Sequence, residues 1–142
     1  MESFILAFGL DKDGGLHNGH FGDAYKFVFF RLYSGGRAEF CRECVNTKRQ
    51  EDESTEHGSS VKLSGVKGIL KECDCVAANI MSPNFKKMAE NSAVQPVVIK
   101  TKEKGEFLNT ACKNCGILFE LACSRRDGKR EGNVPVFRPA AQ

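Results

Sequence analysis

The chain lacks any apolar run approaching the roughly 18 to 20 residues that a membrane-spanning helix requires, so membrane insertion by a helix is not expected. Met1-Glu2 leads straight into a short apolar run with no basic-then-apolar leader, and the expected location is cytoplasmic. There is no GxxxxGK[ST] loop to cradle phosphates. No serine, histidine and carboxylate set assembles into a nucleophilic triad, and directly adjacent carboxylates occur only at Glu51-Asp52-Glu53 within a polar stretch. These gaps argue against an enzyme. Internal repeats are absent too, so one domain with a tail is the natural reading of 142 residues.

What is present begins with seven cysteines, an odd and large number for this length. In a reducing compartment it points to metal, cluster or redox chemistry, or to buried small hydrophobes, before structural disulfides. The apolar share of 41% against 27% charged is the balance of a globular protein and not of a disordered one. The net charge of +3 is concentrated in residues 124–142, where Arg125, Arg126, Lys129, Arg130 and Arg138 face only Asp127 and Glu131. The remainder is near neutral, which removes the electrostatic reason to expect nucleic-acid binding. The expected division is a domain over 1–123 and a basic flexible tail over 124–142.

Hydrophobic patterning orders the elements. SFILAF (3–8) reads as a first strand, closed by the glycine- and aspartate-rich GLDKDGG turn. YKFVFFRL (25–32), Ser34-Gly35-Gly36 and residues 37–45 read as a hairpin. NTKRQEDESTEHGSS (46–60) has almost nothing to bury and reads as a mobile loop. Val61, Leu63, Val66, Ile69 and Leu70 recur at helical spacing. CVAANI (75–80) and the run 94–99 look like buried parallel strands, separated by a helix with Ser82 as N-cap and Pro83 at its first position. A last helix is expected over 107–122, with an apolar stripe that includes Phe107, Ala111, Cys115, Leu118 and Ala122. The order β-β-β-α-β-α-β-α implies an α/β fold, a mixed five-stranded sheet with flanking helices of the ribonuclease H-like kind.

Strand direction selects the site. The end of strand one, the start of strand two, the end of strand three and the ends of the two parallel strands share one rim, where ligands of open α/β sheets tend to bind. To that rim the reading assigns His17, His20 and His57, with Cys41 and Cys44, as nitrogen and sulfur donors for a soft metal or a metal–sulfur cluster. His17 and His57 are each equally well read as solvated loop residues. Gly19 and Gly22 flank His20, so backbone amides there can approach an anion closely. Gly19, Phe21, Gly22, Asp23 and Asn79 complete the expected binding surface. Along a regular strand Cys41 and Cys44 would face opposite ways unless a bulge intervenes. Cys112 and Cys115 read as core-packing residues on the last helix. A zinc site joining the two CxxC pairs, or a thiol-redox module using them, is the competing reading; a third option is an interaction domain whose loop and tail contact a partner protein.

GHFGDAYKFVFF, GILKECDCVAANIMSPNFKKMAENSAVQPVVIKT and GEFLNTACKNCGILFEL together resemble the nitrogenase iron–molybdenum cofactor accessory family, the NifX, NafY and NifB C-terminal type, over about residues 3–122. The resemblance implies a small ribonuclease H-like domain that binds, carries or stores iron–molybdenum or other iron–sulfur clusters without catalysis, exchanging them with a donor or acceptor protein. It implies His20, Phe21 and Gly22 as part of the binding surface. Cys41 and Cys44 would offer sulfur where relatives offer imidazole.

Overall fold

The computed structural model describes residues 2–46, 68, 71–129 and 133–139. Eight residues of β1 (Ser3–Leu10) pair antiparallel with β2 (Lys26–Tyr33) from Ser3 opposite Tyr33 to Leu10 opposite Lys26. β3 (Ala38–Val45) folds back on β2 through a hairpin whose Gly36 has φ +86°, the left-handed region that favours glycine. β4 (Cys75–Ala78), α1 (Pro83–Asn91) and β5 (Gln95–Ile99) form a crossover, with β4 parallel to both β1 and β5. α2 (Lys104–Lys113) and α3 (Cys115–Arg126) follow, and β6 (Val136–Phe137) closes the chain.

The result is a mixed α/β fold with strand order β3-β2-β1-β4-β5-β6. One face of the sheet buries Ala7, Phe27, Phe29, Val76 and Val98 together with Phe85 and Met88 of α1. The other buries Phe4, Leu6, Phe8, Val97 and Ile99 with Phe107 of α2 and Leu118 of α3. β4 and β5 are buried throughout, as expected for parallel strands covered on both faces. Ser82 accepts a hydrogen bond from the Phe85 N–H at 3.2 Å, the cap that its sequence position anticipates. Among the described residues no helix is long and apolar enough to cross a membrane.

Three expectations need correction. The sheet has six strands, not five, because Val136 and Phe137 pair parallel with Val98 and Ile99. A stretch read as tail therefore completes the sheet; a two-residue strand carries no period for a sequence pattern to reveal. The helix expected over 107–122 is two. Asn114 leaves helical geometry at φ −109° and ψ 17°, its side chain caps the Thr110 carbonyl at 2.9 Å, and its own carbonyl accepts from Leu118 to start α3. Thirdly, the stretch read as a basic flexible tail from residue 124 begins inside α3, which runs to Arg126. Arg125, read as part of the tail, is 3% exposed. Its guanidinium donates to Gln95 Oε1 and to the carbonyls of Ala89 and Ser92, tying α3 to β5 and the end of α1. The helix expected over 61–70, apart from Gly68, lies outside the described residues.

Candidate functional site

The rim is assembled by strand register. Leu10 opposes Lys26, Lys26 opposes Val45, and Ala78 lies beside Val98, so the ends of β1, β3, β4 and β5 and the start of β2 share one edge of the molecule. The N-termini of α1 and α2 start from that edge, and the positive end of each helix dipole there favours negative charge. An open groove of about 470 Å³ lies there, lined by Asn18, Asn79, Ile80, Lys100, Thr101 and Lys102. Lys100 and Lys102 are exposed and flank the half-buried Thr101.

The connection from β1 to β2 supplies one wall. Its tight turn closes with Gly14, at φ +91°, donating to the Asp11 carbonyl, and the Asp11 N–H donating to Gly15. The returning chain then bridges Leu16 to Leu10, and the His17 N–H donates to the Gly9 carbonyl at 3.1 Å. A Cβ on Gly9 would stand 2.4 Å from the Ala24 Cβ, so only glycine lets the connection pack this closely. Phe21 opens a short 3-10 turn (Phe21–Asp23) and is 2% exposed, its ring 4.7 Å from that of Phe27 and 5.9 Å from that of Phe85. Asn46, just past β3, donates through Nδ2 to the carbonyls of Gly22 and Ala24, at 2.9 and 3.0 Å.

His17 is the most organised polar group in this wall. Nδ1 lies 2.8 Å from Asp11 Oδ1. A carboxylate only accepts, so Nδ1 carries the hydrogen, and in the neutral ring Nε2 presents its lone pair. Nε2 is buried and has no hydrogen-bond partner. On the floor Asn79, 6% exposed, donates through Nδ2 to the Thr101 carbonyl at 3.1 Å and to Asn18 Oδ1, while its own Oδ1 is buried without a partner. Two buried acceptors without donors are an exception that calls for an account.

The other sequence-predicted residues divide. His20 is exposed and caps no helix with its side chain; its carbonyl accepts from the Asp23 N–H at 3.0 Å. Gly19 lies directly against His17, since a Cβ on it would stand 2.9 Å from Nε2. Phe21 contributes its ring to the core, and the Gly22 carbonyl is engaged by Asn46. Asp23 ends the 3-10 turn, half-buried. Asn79 lines the groove. His57 lies outside the described residues.

Cys41 and Cys44 are not brought to the groove. They lie on β3, the sheet edge, with β2 and β1 between them and β4. Phe29 opposes Arg42 and Phe30 opposes Phe40, so Cys41 is the extra residue of a bulge in mid-strand, exposed. Cys44, one residue in from the strand end, packs against the α1-side core. Cys115 belongs to the opposite core cluster, so the sheet stands between the two CxxC pairs and a four-cysteine zinc site is excluded. Cys115 packs as expected, whereas Cys112 is half-buried and lines a surface groove with Ser34 to Gly36. Among the described residues no three His, Cys, Asp or Glu side chains gather where a metal ion could be held.

Sequence reasoning missed Asp11 as the partner of His17, Asn46 as the brace of the turn, and the lysine pair. The KTK triplet directly after a buried strand was a usable signal for the last; the first two depend on pairing at the rim. The family model for dinitrogenase iron-molybdenum cofactor matches residues 4–114 of the chain. No curated protein and no solved structure matches it.

Proposed function

The chain belongs to the dinitrogenase iron-molybdenum cofactor family, and from that premise we propose that it binds and carries a preassembled metal–sulfur cluster, of iron–molybdenum or iron–sulfur composition, without catalysing a reaction on it. The observation that carries this reading is the composition of the rim: two buried acceptors without donors, His17 Nε2 and Asn79 Oδ1, beside a groove flanked by Lys100 and Lys102. A bare transition-metal ion is ordinarily held by three or four protein ligands, and the described residues offer no such group. A cluster brings its own sulfides and needs only one or two protein donors at an open metal position. Its net negative charge suits the lysines and the two helix N-termini.

The order β3-β2-β1-β4-β5, an antiparallel meander continued by parallel strands, supports a ribonuclease H-like reading of the fold with β6 appended. Cargo of this kind implies a donor or acceptor protein that exchanges clusters at the open rim. A reducing, cytoplasmic setting suits the free cysteines.

The test is anaerobic reconstitution of the full chain with iron, molybdenum and sulfide, followed by desalting, visible absorption, and metal and sulfide analysis. A broad charge-transfer band with sulfide close to stoichiometric with iron is expected. A protein that stays colourless and metal-free overturns the reading.

A further inference from the structure

Independently of the cluster reading, we infer that Cys112 and Cys115 form a reversible dithiol–disulfide site, which exchanges with a low-molecular-weight disulfide at the groove between the β2–β3 hairpin and the junction of α2 and α3. Both cysteines line that open groove of about 530 Å³, together with Ser34, Gly35, Gly36 and Lys113. The groove lies away from the rim. Tyr33 opposes Ser3 whereas Lys26 opposes Leu10, so the hairpin leaves from the other end of the β1–β2 ladder, and Cys112 is near the far end of α2 from its start at the rim. Cys112 is half-buried and Cys115 is 7% exposed. An attacking thiol at the surface with a resolving thiol behind it is what stepwise exchange requires.

Residues three apart in helical geometry have Cα atoms about 5 Å apart, inside the roughly 4.4–6.8 Å that a disulfide spans. Cys112 belongs to the last turn of α2 and Cys115 is the first residue of α3, so the pair straddles the break at Asn114 and the bond does not close across an unbroken helix. The sulfurs lie in each other's field: after burial, the charge of Cys115 is what pushes the Cys112 thiol up. Cys115 Sγ donates to the Ser34 carbonyl at 3.6 Å, which seats hairpin backbone against the resolving sulfur. The groove walls are low, since a Cβ on Gly35 or on Gly116 would stand in open space. Exposed Lys113 and the positive end of the α3 dipole favour the negative charge of a departing thiolate. Cys41 and Cys44 lack this arrangement, one being exposed on a bulge and the other packed in the α1-side core.

In the forward direction the Cys112 thiolate attacks one sulfur of the small disulfide and releases one small thiol. Cys115 then attacks the Cys112 sulfur of the mixed disulfide and releases the second. Two electrons pass from the protein to the small disulfide, and the two protein thiol protons end on the released thiols. Excess small thiol reverses both steps.

The experiment reduces the full chain with a phosphine, desalts it anaerobically and incubates it with oxidised glutathione as the probe, before blocking with iodoacetamide and digestion with trypsin. Cleavage after Lys113 separates the two cysteines, so their disulfide is read by mass as a link between peptides 105–113 and 114–125. Fragmentation distinguishes Cys115 from Cys123 in the second peptide. Wild type is expected to carry the Cys112–Cys115 link and to lose it in excess reduced glutathione. Cys115→Ser is expected to lose the link and to retain glutathione on Cys112, the mixed disulfide that wild type resolves. Circular dichroism establishes that the variant is folded, and the link in wild type carries the test if it is not. The assignment is overturned if wild type keeps glutathione on Cys112, leaves both thiols unmodified, joins Cys112 to Cys123, or forms the link only in urea. None of these outcomes bears on cluster uptake at the rim.

Discussion

Asn79 donates through Nδ2 to the carbonyl of Thr101 at 3.1 Å, and so joins β4 to the chain leaving β5 beyond their last paired residues, Ala78 and Val98. The same nitrogen reaches Asn18, which brings the β1–β2 connection into the contact. Asn79→Ala removes both bonds at a buried position, and the expected loss is about 1–3 kcal/mol of folding free energy. Urea denaturation checks this; an unchanged midpoint at unchanged slope would show that the junction contributes nothing to stability.

Gly19→Ala tests the approach to His17. The glycine is not in the left-handed region, so its backbone tolerates alanine, and the strain falls on the contact with Nε2 at 2.9 Å. The expected outcome is a folded protein whose bound iron after reconstitution falls, because the β1–β2 connection must shift beside the groove to relieve that contact. Iron content equal to wild type counts against this wall of the rim as part of the binding surface.

Lys100→Gln with Lys102→Gln tests the charge at the groove. Exposed cations steer an anionic ligand through the field they create, and salt screens that field over about 8–10 Å. Cluster uptake in the double variant is expected to slow and to lose most of its dependence on ionic strength. Stopped-flow absorption across a salt series makes the comparison, and an unaltered salt slope argues that the cluster enters elsewhere.

Phe21 is expected to act on stability before it acts on binding. It is 2% exposed and packs on Phe27 and Phe85, so Phe21→Ala should cost about 3–5 kcal/mol, the range for deleting a core phenylalanine. Equilibrium denaturation measures it. A cost below 1 kcal/mol would mean that the turn is not pinned by this ring.

Cys73 gives a pH prediction. Burial, reinforced by the Asp74 charge, pushes its thiol up to about 12 from an ordinary 9.0, and burial also raises buried Cys75. The folded state therefore holds these protons more tightly than the unfolded chain does. Their contribution is complete below about pH 9 and is lost as pH rises from there toward 12. Denaturation midpoints should fall over that window, less steeply in Cys73→Ala. At pH 8 iodoacetamide should label exposed Cys41 readily and Cys75 only on unfolding. Rapid labelling of Cys75 in native protein would contradict its burial.

Much was legible in the sequence because local order depends on period and punctuation. Alternating and all-apolar runs specified β1 to β5 to within about two residues, the Ser82-Pro83 start specified α1, and strand direction alone gathered His17 to Asp23, Asn79 and the stretch after Ile99 on one rim. GHFGDAYKFVFF with the later stretches was enough to suggest the family. The remainder depended on contacts with no local signature. The contacts of the His17 ring required Asp11 to reach back across a turn and Gly19 to lie against Nε2. Removing Cys41 and Cys44 from the groove required the strand order and a bulge, which exist only once β3 is paired. Joining Val136 and Phe137 to the sheet required the free edge of β5. A pattern along the chain encodes which face is apolar, whereas the partner of a polar group is set by register between strands distant in sequence, and that register exists only in the folded protein.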